Sequence, residues 1–530
     1  IRFARAGLAA LCLSLGTIAL AGDSVPADIA RDVARLDDED LALAGDAALS
    51  LGRRGEAAFP ALRAALAGGS ARQRWGATVA LCRSTADIAS FVPTLASQLA
   101  EPDEALVQAS LGALAKLGPQ AAPALSALRT LLSLREPDAR WAALRVVAAI
   151  GPPAEGATAD IEPLLRDESA AIRLAAAEAM RSIRPPEALS ARRFGEVTAW
   201  LEQQLPVLMR ETRVPGVSVA LIQRGEVAWA RGFGIADVRS GKPVTTETVF
   251  EAASMSKPVF ALIAMQLVQE GRLDLDRPLV DYLGRDYLPD QPEHRRITAR
   301  MALTHRTGLV NWREGYAEMG GPLPLAYPPG SEYTYSGEGI LFLQRAVEAI
   351  TGQPLERLAE QRLFAPLGLT RTSFEWTEGI EPDLASGHDA DGGFKERTRY
   401  RHANAAYSLY TTPSEYAKFL ATLRRPERLG ERALGRETLG LMLQRELRVD
   451  DADAVERPGL ARSVATYRAL GWSLEVTPEG DILQHSGSNS SGFKAFGQFN
   501  PTKDSGLVLF TNGDGGYQLR SAVIARIGDL

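Results

Sequence analysis

Apolar positions in the first third of the chain recur with helical spacing and at a fixed longer interval. Between about Leu36 and Arg184, four stretches lie 34, 32 and 33 residues apart: Arg74-Trp75-Gly76-Ala77, Gln108-Ala109-Ser110-Leu111, Arg140-Trp141-Ala142-Ala143 and Arg173-Leu174-Ala175-Ala176. Each opens an Ala- and Leu-rich helix, often ended by a breaker such as Leu117-Gly118-Pro119 or Ile150-Gly151-Pro152-Pro153. Each also follows another apolar segment, such as Phe91 to Leu99 or Leu125 to Leu132. One such helix pair cannot bury its apolar face alone, so the pattern predicts stacked pairs in a short α-solenoid, with Leu41 to Gly52 as a partial first unit. Trp75 and Trp141 are expected to be packing residues. Arg184-Pro185-Pro186 ends the last repeat, and the texture changes near Phe194.

Beyond this break the period shortens. After an amphipathic helix from Phe194 to Thr212, Gly216 to Gln223 and Glu226 to Phe233 alternate around Arg224-Gly225, the pattern of a β-hairpin. An unbroken apolar run, Pro258 to Gln269, is closed by Gly271 as a helix would be. Gly471 to Val476, Ile482 to His485, Gly492 to Phe499 and Gly506 to Thr511 read as strands, and Tyr517 to Ile527 as a closing helix. Strands at both ends of a helical middle predict one antiparallel sheet flanked by helices, an α+β architecture.

The repeat region, 36 to 186, resembles HEAT repeats, which implies a surface for a protein partner. The 530 residues, 45% hydrophobic and 23% charged, have room for two or three domains, so the fold expected is multidomain. A net charge of −6 shows no basic surplus and argues against a nucleic-acid partner. Residues 1 to 21 read as a secretory signal peptide: Arg2 and Arg5, an apolar stretch from Ala6 to Leu20, and Ala19-Leu20-Ala21 before Gly22. The expected location is periplasmic or extracellular, in a bacterium. Cys12 falls in this leader, so Cys82 would be the one thiol of the mature chain, a buried small hydrophobe with no disulfide.

Chemistry enters at Ser254-Met255-Ser256-Lys257, just ahead of the apolar run. Three residues apart on a helix, Ser254 and Lys257 would share a face. Serine needs a base to become a nucleophile, and lysine can be that base only where its surroundings favour the neutral amine. Arginine cannot substitute, and only seven of the 59 basic residues are lysines, so a lysine here is informative. Downstream, Tyr335-Ser336-Gly337 precedes a helix from Ile340 to Ile350, and His485-Ser486-Gly487 ends a predicted strand.

Together these residues resemble the serine hydrolases of the class C β-lactamase, D-alanyl-D-alanine carboxypeptidase and family VIII esterase group, over residues 194 to 530. Supporting stretches include Leu303-Thr304-His305-Arg306-Thr307-Gly308-Leu309 and Pro366-Leu367-Gly368-Leu369. The resemblance implies a β-lactamase/transpeptidase-like domain in which Ser254 is the nucleophile and Lys257 and Tyr335 handle its proton. It also implies that the N–H groups of Ser254 and Ser488 receive the oxyanion, and that His485 stands at the first position of a substrate-binding strand motif. Gly487 is expected to let substrate approach that strand. His305 is expected to be structural, and His294, His388 and His402 show no metal-ligand spacing, so neither metal nor cofactor is implied. The chain departs from the family's Y-x-N at Gly337, and Glu338 is a candidate to replace the missing amide or to pair with Lys257.

The expected function is an exported acyl-serine hydrolase acting on an ester, a β-lactam or a D-amino-acid amide or peptide. The alternative is a binding or sensor protein that uses its helical repeats and carries a residual hydrolase fold.

Overall fold

The computed structural model describes residues 25–187, 190–288, 290–313, 322–449 and 463–528. The leader expected at residues 1 to 21 lies outside them. The chain divides into two compact units, the first ending at Leu131 and the second starting at Leu132.

The N-terminal region is helical. The helices Ala71–Arg83, Glu104–Leu117, Pro137–Ile150 and Ala170–Ile183 begin at a constant interval of 33 residues. Their starts are written locally: Ser70 and Gln73 form a reciprocal capping box, and Asp103 accepts the N–H of Leu106. Two expectations need correction. Trp141 is 41% exposed and carries the Arg145 guanidinium 5.1 Å from its ring, so it is not a core residue. Cys82 is half-buried rather than buried, and its thiol donates to the Ala109 carbonyl at 3.2 Å.

The second unit is built on strands β1 (Gly216–Gln223), β2 (Glu226–Asp237), β3 (Lys242–Pro243), β4 (Phe250–Ala253), β5 (Gly387–His388), β6 (Phe394–Lys395), β7 (Leu409–Thr411), β8 (Leu447–Arg448), β9 (Ala465–Ala469), β10 (Trp472–Thr477), β11 (Gly480–Ser488), β12 (Lys494–Asn500) and β13 (Ser505–Thr511). Nine of them form one antiparallel sheet in the order β3-β2-β1-β13-β12-β11-β10-β9-β8. The β1–β2 turn places Arg224 and Gly225 at φ of 54° and 70°, the left-handed pair that a two-residue hairpin needs.

Helices Ala191–Thr212 and Gly516–Ile527 cover one face, where Leu201, Leu205 and Leu519 meet Val219, Leu509 and Phe496. Burying side chains of this size contributes about 1.5–3 kcal/mol each. Helix Ser256–Gln269 is buried on every side from Ser256 to Leu267, as its unbroken apolar run requires. Strand β4 pairs with β7, which brings residue 254 beside the 404–408 loop.

Helix Ala170–Ile183 is joined to the sheet. Arg173 Nε donates to the Val464 carbonyl at 3.0 Å, and Arg181 Nε to the Thr477 carbonyl at 2.6 Å. Arg181 also pairs with Asp481, which Arg445 shares.

Candidate functional site

Ser254 does not lie within the helix but in the turn before it. Strand β4 ends at Ala253, whose φ of 50° is left-handed, a strained setting for a residue with a Cβ. The chain then folds back sharply: Met255 N–H donates to the Ala252 carbonyl at 3.1 Å, and Lys257 N–H to the Ser254 carbonyl at 3.1 Å. Ser256 ties the turn down, its hydroxyl donating to the Ala253 carbonyl (2.6 Å) while accepting the N–H of Leu409 (3.0 Å). From opposite the turn, the Tyr416 hydroxyl donates to the Met255 carbonyl. Ser254 is left half-exposed at the mouth of this turn.

Lys257, 1% exposed, has its Nζ 3.0 Å from Ser254 Oγ and 2.7 Å from the Ala406 carbonyl. Burial, reinforced by the charge of Arg468, holds its pKa well below the ordinary lysine value. Both causes shift the balance towards the neutral amine. A neutral amine that donates to Ala406 keeps a lone pair free to accept the Ser254 proton. The Ala406 carbonyl is fixed in turn, since Asn404 Oδ1 accepts the Ala406 N–H and Gln344 Oε1 the Ala405 N–H.

Tyr335 is placed by a helix cap. Ser336 Oγ accepts the Gly339 N–H at 2.9 Å and starts the helix Gly337–Thr351, earlier than the expected Ile340. The Tyr335 ring centre lies 4.8 Å from Lys257 Nζ and 4.3 Å from the His305 ring. His305 is thus not merely part of a loop motif. Its Nδ1 accepts the Ser336 N–H, which puts the ring proton on Nε2. Burial, with Arg468, Lys257 and His485 nearby, pushes its pKa well down and keeps it neutral.

Strand β11 brings up the third group. His485 is buried, and because its Nδ1 faces the Ser486 carbonyl at 2.8 Å, that nitrogen must carry the proton. Ser488, which ends the strand, is exposed. At Gly487 a Cβ would stand 2.1 Å from the Ala252 carbonyl oxygen and 3.0 Å from Ser254 N. The space beside it is filled by the protein's own turn, so this glycine sets how closely the β4 end approaches β11. Glu251 reinforces the junction by accepting from Asn489, Ser491 and Tyr400. Burial raises the Glu251 pKa.

At Gly337 the structure answers two questions that the motif raised. Glu338 is fully buried and pairs with Arg313 at 2.8 Å, not with Lys257. The position of a residue-337 side chain is taken by Trp312, and Asn311 Oδ1 accepts the Gly337 N–H at 2.9 Å. Ser254, Lys257, Tyr335, His485 and Gly487 are thus drawn towards one turn. Arg468, His305, Trp312, Ala406 and Glu251 join them without having been singled out for the site from sequence. Of these, only His305 lay in a stretch with any sequence signal.

This fold is that of the β-lactamase and penicillin-binding class. The family model described as Beta-lactamase matches residues 201–529, and the chain belongs to that family, whose members are serine hydrolases. The chain is 28% identical to Esterase EstB of Burkholderia gladioli over 46% of its own length and 77% of the esterase. It is 28% identical to Penicillin-binding protein 4 of Amycolatopsis lactamdurans over 35% of its length and 52%, about half, of that relative. Among solved structures, the octameric penicillin-binding protein homologue from Pyrococcus abyssi superposes with a TM-score of 0.52 at 25% identity, covering 62% of this chain and 76% of that one.

Proposed function

We propose that the protein is an exported hydrolase that forms an acyl-enzyme on Ser254, with esters as its preferred donors among esters, β-lactams and D-amino-acid amides. The observation that carries this reading is the 3.0 Å approach of Lys257 Nζ to Ser254 Oγ, where burial and the charge of Arg468 favour the neutral amine. As Ser254 Oγ bonds to the carbonyl carbon, its proton passes to Lys257, assisted by Tyr335. The negative charge on the carbonyl oxygen is received by the N–H groups of Ser254 and Ser488. The proton then leaves with the alcohol or amine, and water releases the acid by the reverse sequence. The feature that favours esters is residue 337, a glycine, which offers no side-chain amide to an amide donor; the relatives covered over most of their length include both an esterase and a β-lactamase.

The helical region is read as a HEAT-like solenoid that binds a protein partner, supported by the 33-residue interval of its helices. Export rests on the leader pattern at residues 1 to 21; among the described residues no helix is long and apolar enough to cross a membrane.

Intact-mass spectrometry after exposure to a fluorophosphonate and to a penicillin tests the chemistry. A stoichiometric adduct that maps to Ser254 and is lost in Ser254→Ala is expected. Labelling that persists in Ser254→Ala would refute the assignment.

A further inference from the structure

Arg468 sits on β9 with 2% exposure. Its Cζ lies 4.9 Å from the ring centre of Tyr333 and 6.0 Å from that of Tyr335, and Nη2 donates to the Tyr333 hydroxyl. Besides the neutral His305 imidazole, the Tyr335 ring is approached by two basic groups, Arg468 and Lys257, that differ in kind. A lysine loses its proton when buried, whereas a guanidinium keeps its charge throughout the range in which proteins are folded. Arg468 therefore brings a permanent positive charge to this tyrosine, whereas the charge on Lys257 can be lost.

We propose that Arg468 is an electrostatic positioning residue, held on Tyr333 so that its fixed charge sets the protonation of the Lys257–Tyr335 pair. This rests on the acyl-enzyme reading of Ser254. The two groups are close enough to titrate together, so their protons belong to the pair. A nearby cation penalises the doubly protonated form, ammonium with phenol, against the forms that have lost one proton. It therefore lowers the pH at which the pair becomes able to accept the Ser254 proton. The same cation favours phenolate character at Tyr335 while that proton is in transit. Burial is the main cause of the lowered pKa of both Lys257 and His305, and the charge of Arg468 lowers each further.

Other charged and titratable groups near the pair have partners of their own. His305 holds the Ser336 N–H, and His485 donates to the Ser486 carbonyl. The Tyr416 hydroxyl is on the Met255 carbonyl. On the strands flanking β9, Glu475 accepts from Ser463, Thr466 and Gln484, while Glu446, next to β8, is ion-paired with Arg300 at 2.9 Å.

The test is the pH dependence of kcat/KM on a 4-nitrophenyl ester, with fluorophosphonate labelling of Ser254 read in parallel, for the full chain, Arg468→Met, Arg468→Lys and Tyr333→Phe. Arg468→Met is expected to move the acidic limb up by roughly one pH unit or more, as loss of a charge at this range would. Its rate should approach that of the parent at high pH. Arg468→Lys should fall between the two, and Tyr333→Phe, which keeps the charge but frees it, should shift the limb in the same direction by less. An acidic limb unchanged in a folded Arg468→Met overturns the proposal. If that variant does not fold, an unchanged limb in Tyr333→Phe does so. Failure of the full chain to label at Ser254 would instead strike the acyl-enzyme reading, because every limb is measured on Ser254-dependent turnover.

Discussion

The indole of Trp312 occupies the space that a side chain at residue 337 would need. A Cβ on Gly337 would stand 2.2 Å from Cη2 and 2.4 Å from Cζ2 of that ring. The indole is itself braced edge-on against Tyr407 at 5.3 Å, so it cannot yield without moving a second aromatic residue. The glycine and the tryptophan are one feature, written in two places 25 residues apart.

Restoring the family's asparagine should therefore fail. Gly337→Asn is expected to lower stability by about 1–3 kcal/mol through overpacking and to reduce turnover of esters and β-lactams alike. The pair Gly337→Asn with Trp312→Ala should recover much of that stability, a non-additivity that thermal unfolding and kcat/KM on both substrate classes would read. A simple gain in β-lactam turnover in the single variant would contradict the packing argument.

Lys257→Arg places a permanent positive charge beside Ser254 Oγ and removes the amine that could accept its proton. Turnover should fall by roughly 10²- to 10⁴-fold, the range for loss of a general base. Steady-state kinetics with an active-site titration would separate lost chemistry from lost protein.

Gly487→Ala forces a methyl against the Ala252 carbonyl and must separate β11 from the turn that carries Ser254. The expected result is a fall in kcat on the order of 10²-fold, comparable to losing an oxyanion donor, with KM little changed. An alanine variant with the parent's kcat would show that the junction is not sensitive to this spacing.

Stability should fall as pH rises from weakly acidic to neutral, and Glu356 is one cause. It accepts from Ser373 Oγ at 2.9 Å and from the Phe374 N–H at 2.6 Å, yet burial dominates and pushes its pKa up to about 7 from an ordinary value of 4.5. Below 4.5 the folded and unfolded chains both hold this proton. Between 4.5 and 7 only the folded chain does, so raising pH through that window removes stability. Glu356→Gln should flatten that decline in urea unfolding measured across it.

Much of the architecture could be read from periodicity alone. The hairpin at Arg224-Gly225, the late strands and the closing helix are local patterns, and each needs only its own residues. Ser254 and Lys257 were legible for the same reason, since a three-residue spacing turns sequence into proximity. Trp312 against Gly337 joins segments whose meeting depends on the whole fold. Arg468 is one of 52 arginines, and nothing within β9 separates it from one on the surface. The left-handed Ala253 was hidden because alanine gives no hint of strain, unlike the glycines that usually mark such backbone. Glu338 was misjudged as a partner for Lys257 because Arg313, which holds it, lies in a different loop.

The anchors of helix Ala170–Ile183 bear on where the chain can be cut. A chain starting at Ala188 loses Arg173 and Arg181 from β9, β10 and Asp481, whereas one starting at Leu132 keeps them. The longer piece should retain ester turnover within about threefold of the parent, and the shorter should unfold at a lower temperature. Equal melting temperatures would show that these contacts carry no stability.

The pairing of β1 with β13 makes the first strand of the sheet wait for the last. During synthesis the N-terminal helices can fold as they emerge, because their contacts are between near neighbours, while Gly216–Gln223 has one of its two strand partners only when Ser505–Thr511 has been made. The polypeptide carrying Ser254 would spend its translation without the completed sheet, so the site can assemble only after the last strand has been made.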